Sequence, residues 1–247
     1  MLGLVMTRII GIFLSFPFFN TSMVPTNVRI LFVTAFAFYI LMMPGVQPVA
    51  LEWSVLTYIL YILKELLIGF GLGLLVNIVI SAFAYAAELV SYFMGLSIAN
   101  VFDPTFGQVS VLNRFFTLIF YLVFFVTEAY HYVIGGIVMS FKYFPVGAFD
   151  FNEGIFQFVI EKSAMLFVLG FQIAFPFALI LFLLNVALAL VNRLIPQVNV
   201  FIVGLPMQIF VGLGALSLGS AVLIYMMAQT IGRMGSDFGT LIRAMGQ

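Results

Sequence analysis

Two apolar stretches, Trp53–Gly95 and Ile155–Leu194, each run for roughly 40 residues, where about 20 suffice for a helix to cross a bilayer. A helix of that length measures about 60 Å, twice the hydrocarbon thickness of about 30 Å. Two readings fit. Each stretch holds two spans joined by a tight turn, or each is one helix that stays apolar beyond the bilayer. A turn between spans calls for polar or turn-forming residues. Gly69, Gly71 and Gly73 supply flexibility but no polar break, and Pro176 lies between two phenylalanines. The single long helix is therefore favoured, and it needs protein neighbours wherever lipid is absent.

Composition narrows the class. The chain is 64% hydrophobic and 7% charged, with nine basic and nine acidic residues. Ordinary soluble domains are about 25% charged. A globule of this size has too little interior for so much apolar surface, which excludes a soluble monomeric enzyme. Disorder is excluded because it requires low hydrophobicity. A net charge of zero gives no basis for a nucleic-acid partner or a polybasic patch. The absence of cysteine removes disulfides, iron–sulfur clusters and thiol chemistry, and a single histidine removes any multi-histidine site. No cofactor or metal is expected.

The remaining apolar segments are about Leu2–Phe19, Val28–Met43, Leu112–Met139 and Val198–Ile231, followed by a Gly-rich tail. None shows period-2 alternation, so the fold class is all-α, built of long hydrophobic helices. Arg8 sits inside the first apolar run rather than ahead of it, so that run reads as an uncleaved helix. With six spans, Arg29, Arg114 and Arg193 fall on one side and Lys142, Arg233 and Arg243 on the other, which leaves orientation without a charge bias.

Several local patterns carry chemistry or packing. Gly69-Phe-Gly-Leu-Gly73 lies inside an apolar helix with no preceding strand, so it is no nucleotide loop. Its Gly69…Gly73 spacing suits close helix packing. Gly135-Gly136 and Gly212…Gly219 suit it too. Lys64, Glu65, Glu88 and Glu128 are charges within apolar segments. As buried charges they face protein or water; pairing across helices or subunits is favoured over an ion or proton relay, and a third reading places them outside the bilayer altogether. Ser97 and the lone His131 lack the pattern of an intramembrane serine protease. The break Asn100–Gln108 holds turn-forming Asp103-Pro104 and Phe106-Gly107, yet it retains Phe102 and Phe106. Such a loop either inserts into a cavity or between subunits, or packs on its own helices. At Arg193–Pro206, Pro196 stops one helix, Arg193 complements its dipole, and Gln197 and Asn199 can satisfy freed carbonyls. The result is a helix–turn–helix corner.

The string Pro196-Gln197-Val198-Asn199-Val200-Phe201, extended to Pro206, resembles the signature of the FliR family of type III secretion export-gate proteins. Arg8-Ile-Ile-Gly11 with Val24-Pro25-Thr-Asn-Val-Arg29, then Glu65 through Gly73, then Glu88, Gly95 and Asp103-Pro104, are similar to further family stretches. The resemblance covers about residues 7–235. It implies a non-enzymatic subunit of a flagellar export gate in the bacterial inner membrane, at the basal body, partly raised to the periplasmic side. The implied partners are FliP-like and FliQ-like subunits in a helical pore, an FlhB-like switch protein, exported unfolded proteins and membrane lipid. It also implies a FliP-like half at 1–154 and a FliQ-like hairpin with a Gly-rich tail at 155–247. A plug loop at about 100–110 would offer Phe102, Asp103, Pro104, Phe106 and Gly107. The corner residues Arg193, Pro196, Gln197, Asn199, Phe201 and Pro206 would lie at subunit contacts. The chain departs from the family in having seven residues before Arg8 and in Gln208, where a lysine is common. An injectisome subunit and an independent small-solute transporter are the alternatives. The latter calls for repeats and a polar midplane site that the sequence lacks.

Overall fold

A computed structural model of the chain describes residues 1–16, 24–43, 54–96, 110–147, 153–195, 197 and 200–245. They form seven helices and no strand. These are α1 (Leu2–Ser15), α2 (Thr26–Met42), α3 (Val55–Phe93), α4 (Val111–Val126), α5 (Tyr130–Tyr143), α6 (Glu153–Leu194) and α7 (Val200–Met245).

Both long apolar stretches are single helices. The 39 residues of α3 and the 42 of α6 run without a break, and Pro176 is carried inside α6. Helix stops follow backbone chemistry. Phe16 and Met43 turn extended ahead of Pro17 and Pro44, because a residue before proline is disfavoured in the α region. α3 ends in a left-handed Gly95 (φ 73°). There the Gly95 N–H donates to the Tyr92 carbonyl and the Leu96 N–H to that of Ser91, closing the last turn as a Schellman cap.

Two segment boundaries differ from the sequence reading. Leu112–Met139 was expected as one stretch, but the helix is interrupted at 127–129, where Glu128 adopts φ 54°. Nothing in the apolar pattern marks that break. The stretch after Ile231, expected as a Gly-rich tail, is helical to Met245. Its glycines are outweighed by an amphipathic pattern. Ile231, Met234, Phe238, Leu241, Ile242 and Met245 are buried, while Arg233, Ser236, Thr240 and Arg243 face outward.

The chain forms two compact units, interleaved in sequence. One comprises Met1–Val79, Glu128–Ser163 and Gly232–Gln247, and the other Ile80–Thr127 and Ala164–Ile231. In the first, α1 buries a continuous face of Leu4, Val5, Arg8, Ile9, Gly11, Ile12 and Ser15. Phe238 packs over Gly136, and Tyr132 packs over Gly235. In the second, α4 places Leu112, Phe116, Phe120 and Phe124 on one buried stripe, with the Phe120 ring 5.5 Å from that of Phe83. Here α6 and α7 run antiparallel. Gln208 hydrogen-bonds Asn185, and Gly219 lies against the Phe177 ring.

Among the described residues three helices, α3, α6 and α7, are long and apolar enough to cross a membrane, and the interrupted 111–143 stretch is a further candidate.

Candidate functional site

The most constrained place among the described residues is where α1 crosses α3 in the first unit. Glycines stand at the contact points of the crossing, Gly11 on α1 and Gly69 and Gly73 on α3. A Cβ at Gly11 would stand 2.5 Å from the Leu66 carbonyl oxygen, and one at Gly73 2.5 Å from that of Ile12. One at Gly69 would overlap the Arg8 carbonyl. Glycine alone permits this backbone approach. Hydroxyl and amide groups complete it. The Ser15 hydroxyl donates to the Phe70 carbonyl at 3.1 Å, and Asn77 Nδ2 donates to the Ser15 carbonyl at 2.8 Å.

Beside this crossing, Arg8 and Glu65 form an ion pair with no solvent exposure on either side chain. Arg8 Nε donates to Glu65 Oε2 at 2.6 Å, and Nη2 donates to Oε1 at 3.0 Å, a two-pronged geometry that only arginine offers. The guanidinium also donates to Ser140 Oγ (3.3 Å) and the Phe144 carbonyl (3.1 Å), and lies 4.1 Å from the Phe141 ring centroid. Glu65 Oε1 accepts from the Gly147 N–H at 2.9 Å. Gly147 has φ 88°, a conformation suited to glycine. The pair therefore fixes α1, α3, the end of α5 and the turn at 144–147 against one another. With both charges so engaged, the arrangement does the work of a structural lock. Among the described residues no group of three or more His, Asp or Glu could hold a metal ion.

Other sequence-selected charges are handled differently. Glu88 is half-buried in the second unit, where its Oε1 accepts from the Ser110 N–H (3.2 Å) and from Asn113 Nδ2 (2.8 Å). Ser110 in turn caps α4 by accepting from the Asn113 N–H. A carboxylate at a helix N-terminus is favourable, so Glu88 ties the end of α3 to the start of α4. Lys64 is half-buried. Glu128 was expected as a buried charge, but its side chain is 70% exposed at the α4–α5 break, 3.6 Å from the exposed His131. The interruption of the apolar stretch carries it out of the interior.

At the corner, Arg193 lies exposed in the last turn of α6 and Gln197 is exposed. Pro206 sits inside α7 rather than in the turn. Pro196 and Asn199 lie outside the described residues, as does the side chain of Phe201. Phe102, Asp103, Pro104, Phe106 and Gly107 also lie outside them, as does Ser97.

Sequence reasoning did not select Arg8 as the partner of Glu65, nor Ser140, Gly11 or Asn77. The available signal was that a lone arginine in an apolar helix requires a counter-charge. It also missed the Lys162–Asp237 pair, 2.7 Å apart and joining α6 to α7 in the first unit.

Long apolar helices, a glycine-mediated crossing and a sealed internal ion pair define a polytopic helical membrane protein. A family model of bacterial export proteins, family 1, matches residues 1–234. The flagellar biosynthetic protein FliR of Aquifex aeolicus is 37% identical over 209 residues, covering 83% of this chain and 80% of that one. The FliR of Bacillus subtilis is 38% identical over 213 residues, covering 84% and 81%. That of Escherichia coli is 30% identical over 155 residues, covering 62% and 59%. The chain belongs to family 1 of the bacterial export proteins, and it is an export-apparatus component of the flagellar type.

Proposed function

We propose that this chain is a non-enzymatic subunit of the flagellar protein-export gate in the bacterial inner membrane. In this reading it joins FliP-like and FliQ-like subunits around a pore for unfolded flagellar proteins, with an FlhB-like switch protein as a further neighbour. Part of the assembly stands raised to the periplasmic side. The segment 100–110 plugs the closed pore, and Phe102 and Phe106 seal it by filling space and excluding water. Movement of that segment opens the path, while energy comes from other parts of the machine.

The observation that carries the reading is the uncovered surface of α6 and α7. Of the most apolar 18-residue stretch in each, only 22% and 11% is buried, against 61% in α3. At about 1.5 Å per residue, rods of 42 and 46 residues far exceed a hydrocarbon layer of about 30 Å. Lipid can cover about half of each rod, and the rest calls for apolar protein, which supports membership of an obligate assembly.

Co-expression with FliP-like and FliQ-like subunits is expected to yield one complex. Recovery of this chain as a stable lone monomer with full spanning topology argues against the reading. The double variant Phe102→Ala/Phe106→Ala is expected to assemble normally and to raise small-ion conductance of the closed gate about tenfold or more, as loss of a dewetted constriction implies. Unchanged conductance in assembled gates rejects the plug. Gln197→Ala combined with Asn199→Ala is expected to lower recovery of the complex several-fold. Normal yield and motility reject a contact role for the corner.

A further inference from the structure

Building on the assignment to a multi-subunit gate, we propose that the Asn185–Gln208 amide pair of the α6–α7 hairpin is the recognition point for one helix of a neighbouring subunit, an apolar helix that presents a neutral Asn, Gln, Ser or Thr side chain. Asn185 is the only polar side chain in α6 between Gln172 and Asn192, and Gln208 is the only one in α7 from Val200 to Leu216. The two are drawn together across the hairpin, where Gln208 Nε2 donates to Asn185 Oδ1. Around them the exposed surface is apolar, formed by Leu183, Val186, Met207 and Phe210.

An amide pair joined by one hydrogen bond is half satisfied. The Asn185 Nδ2 group and the Gln208 Oε1 oxygen have no partner among the described residues. Turning both amides over would only exchange the roles, leaving one NH2 and one carbonyl open. Both side chains are half-buried. Asn185 stands nine residues before the end of α6 at Leu194, and Gln208 eight residues past the start of α7 at Val200. At about 1.5 Å per residue, the pair sits about 12–14 Å along the hairpin from the helix ends at its corner. An open donor and an open acceptor so far into an apolar hairpin are costly unless a partner meets them.

The two open groups specify what can meet them. Lipid tails offer neither donor nor acceptor, and a helix backbone spends its own groups on itself. A carboxylate could accept from Asn185 but not donate to Gln208, and an ammonium or guanidinium could donate but not accept. An amide or hydroxyl side chain does both at once. In an apolar medium hydrocarbon burial drives no helix association, so close packing and hydrogen bonds of this kind carry it. Much of α6 and α7 is uncovered, which leaves room for a neighbouring helix alongside the pair.

The test co-expresses the full chain with FliP-like and FliQ-like subunits and compares it with Asn185→Leu/Gln208→Met, which nearly keeps side-chain volume and removes both amides. The double variant is expected to reach the membrane at the unaltered level. Its share recovered in the complex is expected to fall about threefold or more, as loss of one hydrogen bond between membrane helices gives. Exchanging the two residues, Asn185→Gln with Gln208→Asn, keeps both amides and is expected to recover better than the double variant. A photoreactive benzoylphenylalanine at position 186 is expected to cross-link a partner-subunit helix at an apolar peptide bearing Asn, Gln, Ser or Thr. Three results overturn the proposal while leaving the gate assignment standing. They are full recovery of the double variant, an exchanged variant no better than it, and a cross-link to lipid, to a second copy of this chain or to a helix without such a side chain. Failure of the unaltered chain to form any complex overturns both.

Discussion

Arg8→Ala is expected to cost about 3–5 kcal/mol, because it leaves the Glu65 carboxylate sealed from water with no cation beside it. Domains are stable by only about 5–15 kcal/mol, so the loss should remove much of the folded population. Detergent extracts of the variant should show a collapsed monodisperse peak and a thermal midpoint lowered by many degrees. Glu65→Gln should behave similarly, since it strands the guanidinium instead. The discriminating variant replaces both residues by apolar side chains of similar volume, Arg8→Met with Glu65→Leu. Without a charge to bury, it should be less damaged than either single variant, giving a large coupling in the double-mutant cycle. If the single losses simply add, the pair is not the lock that its geometry describes. Part of the damage should persist in the double variant, because the Phe144 carbonyl and the Gly147 N–H lose their partners as well.

The second large effect concerns the helix crossing. Gly69→Leu forces a Cβ into the Arg8 carbonyl, where backbone, not a pliable side chain, stands in the way. The helices must separate, and separation pulls Arg8 from Glu65. A cost of about 3 kcal/mol, the upper end for overpacking, is expected. The same short run contains its own control. Gly71 has nothing within 4 Å of an added Cβ, so Gly71→Ala should be stabilising by about 0.5–1 kcal/mol through helix propensity alone. Thermal midpoints of the two variants should therefore move in opposite directions. A matched fall in both would mean that the crossing does not depend on Gly69.

Which parts of this arrangement could be read from sequence follows from the physics of each signal. Periodicity and length reach far in an apolar chain. The continuity of α3 and α6 follows from the lack of any polar turn within Trp53–Gly95 and Ile155–Leu194. Gly69 and Gly73 were legible because four-residue spacing places both on one helix face. The partner of Glu65 was not legible, because 57 residues separate it from Arg8 and no local rule spans that distance. The break at Glu128 escaped because the residue adopts a left-handed backbone without a glycine, asparagine or proline to mark it. The helical end of α7 was obscured by its glycines. Intrinsic propensity there yields to burial of Met234, Phe238 and Leu241.

The interleaving of the two units has a consequence for biosynthesis. The unit that holds the Arg8–Glu65 lock draws on Met1–Val79 and also on Gly232–Gln247. Its first helix leaves the ribosome long before Phe238, which packs over Gly136. The N-terminal helices of that unit must therefore wait, incompletely covered, until the segment from Gly232 onward has been made. Domains commonly fold from the N-terminus as they emerge. Here completion of the unit waits for the end of α7, long after its first helices have emerged.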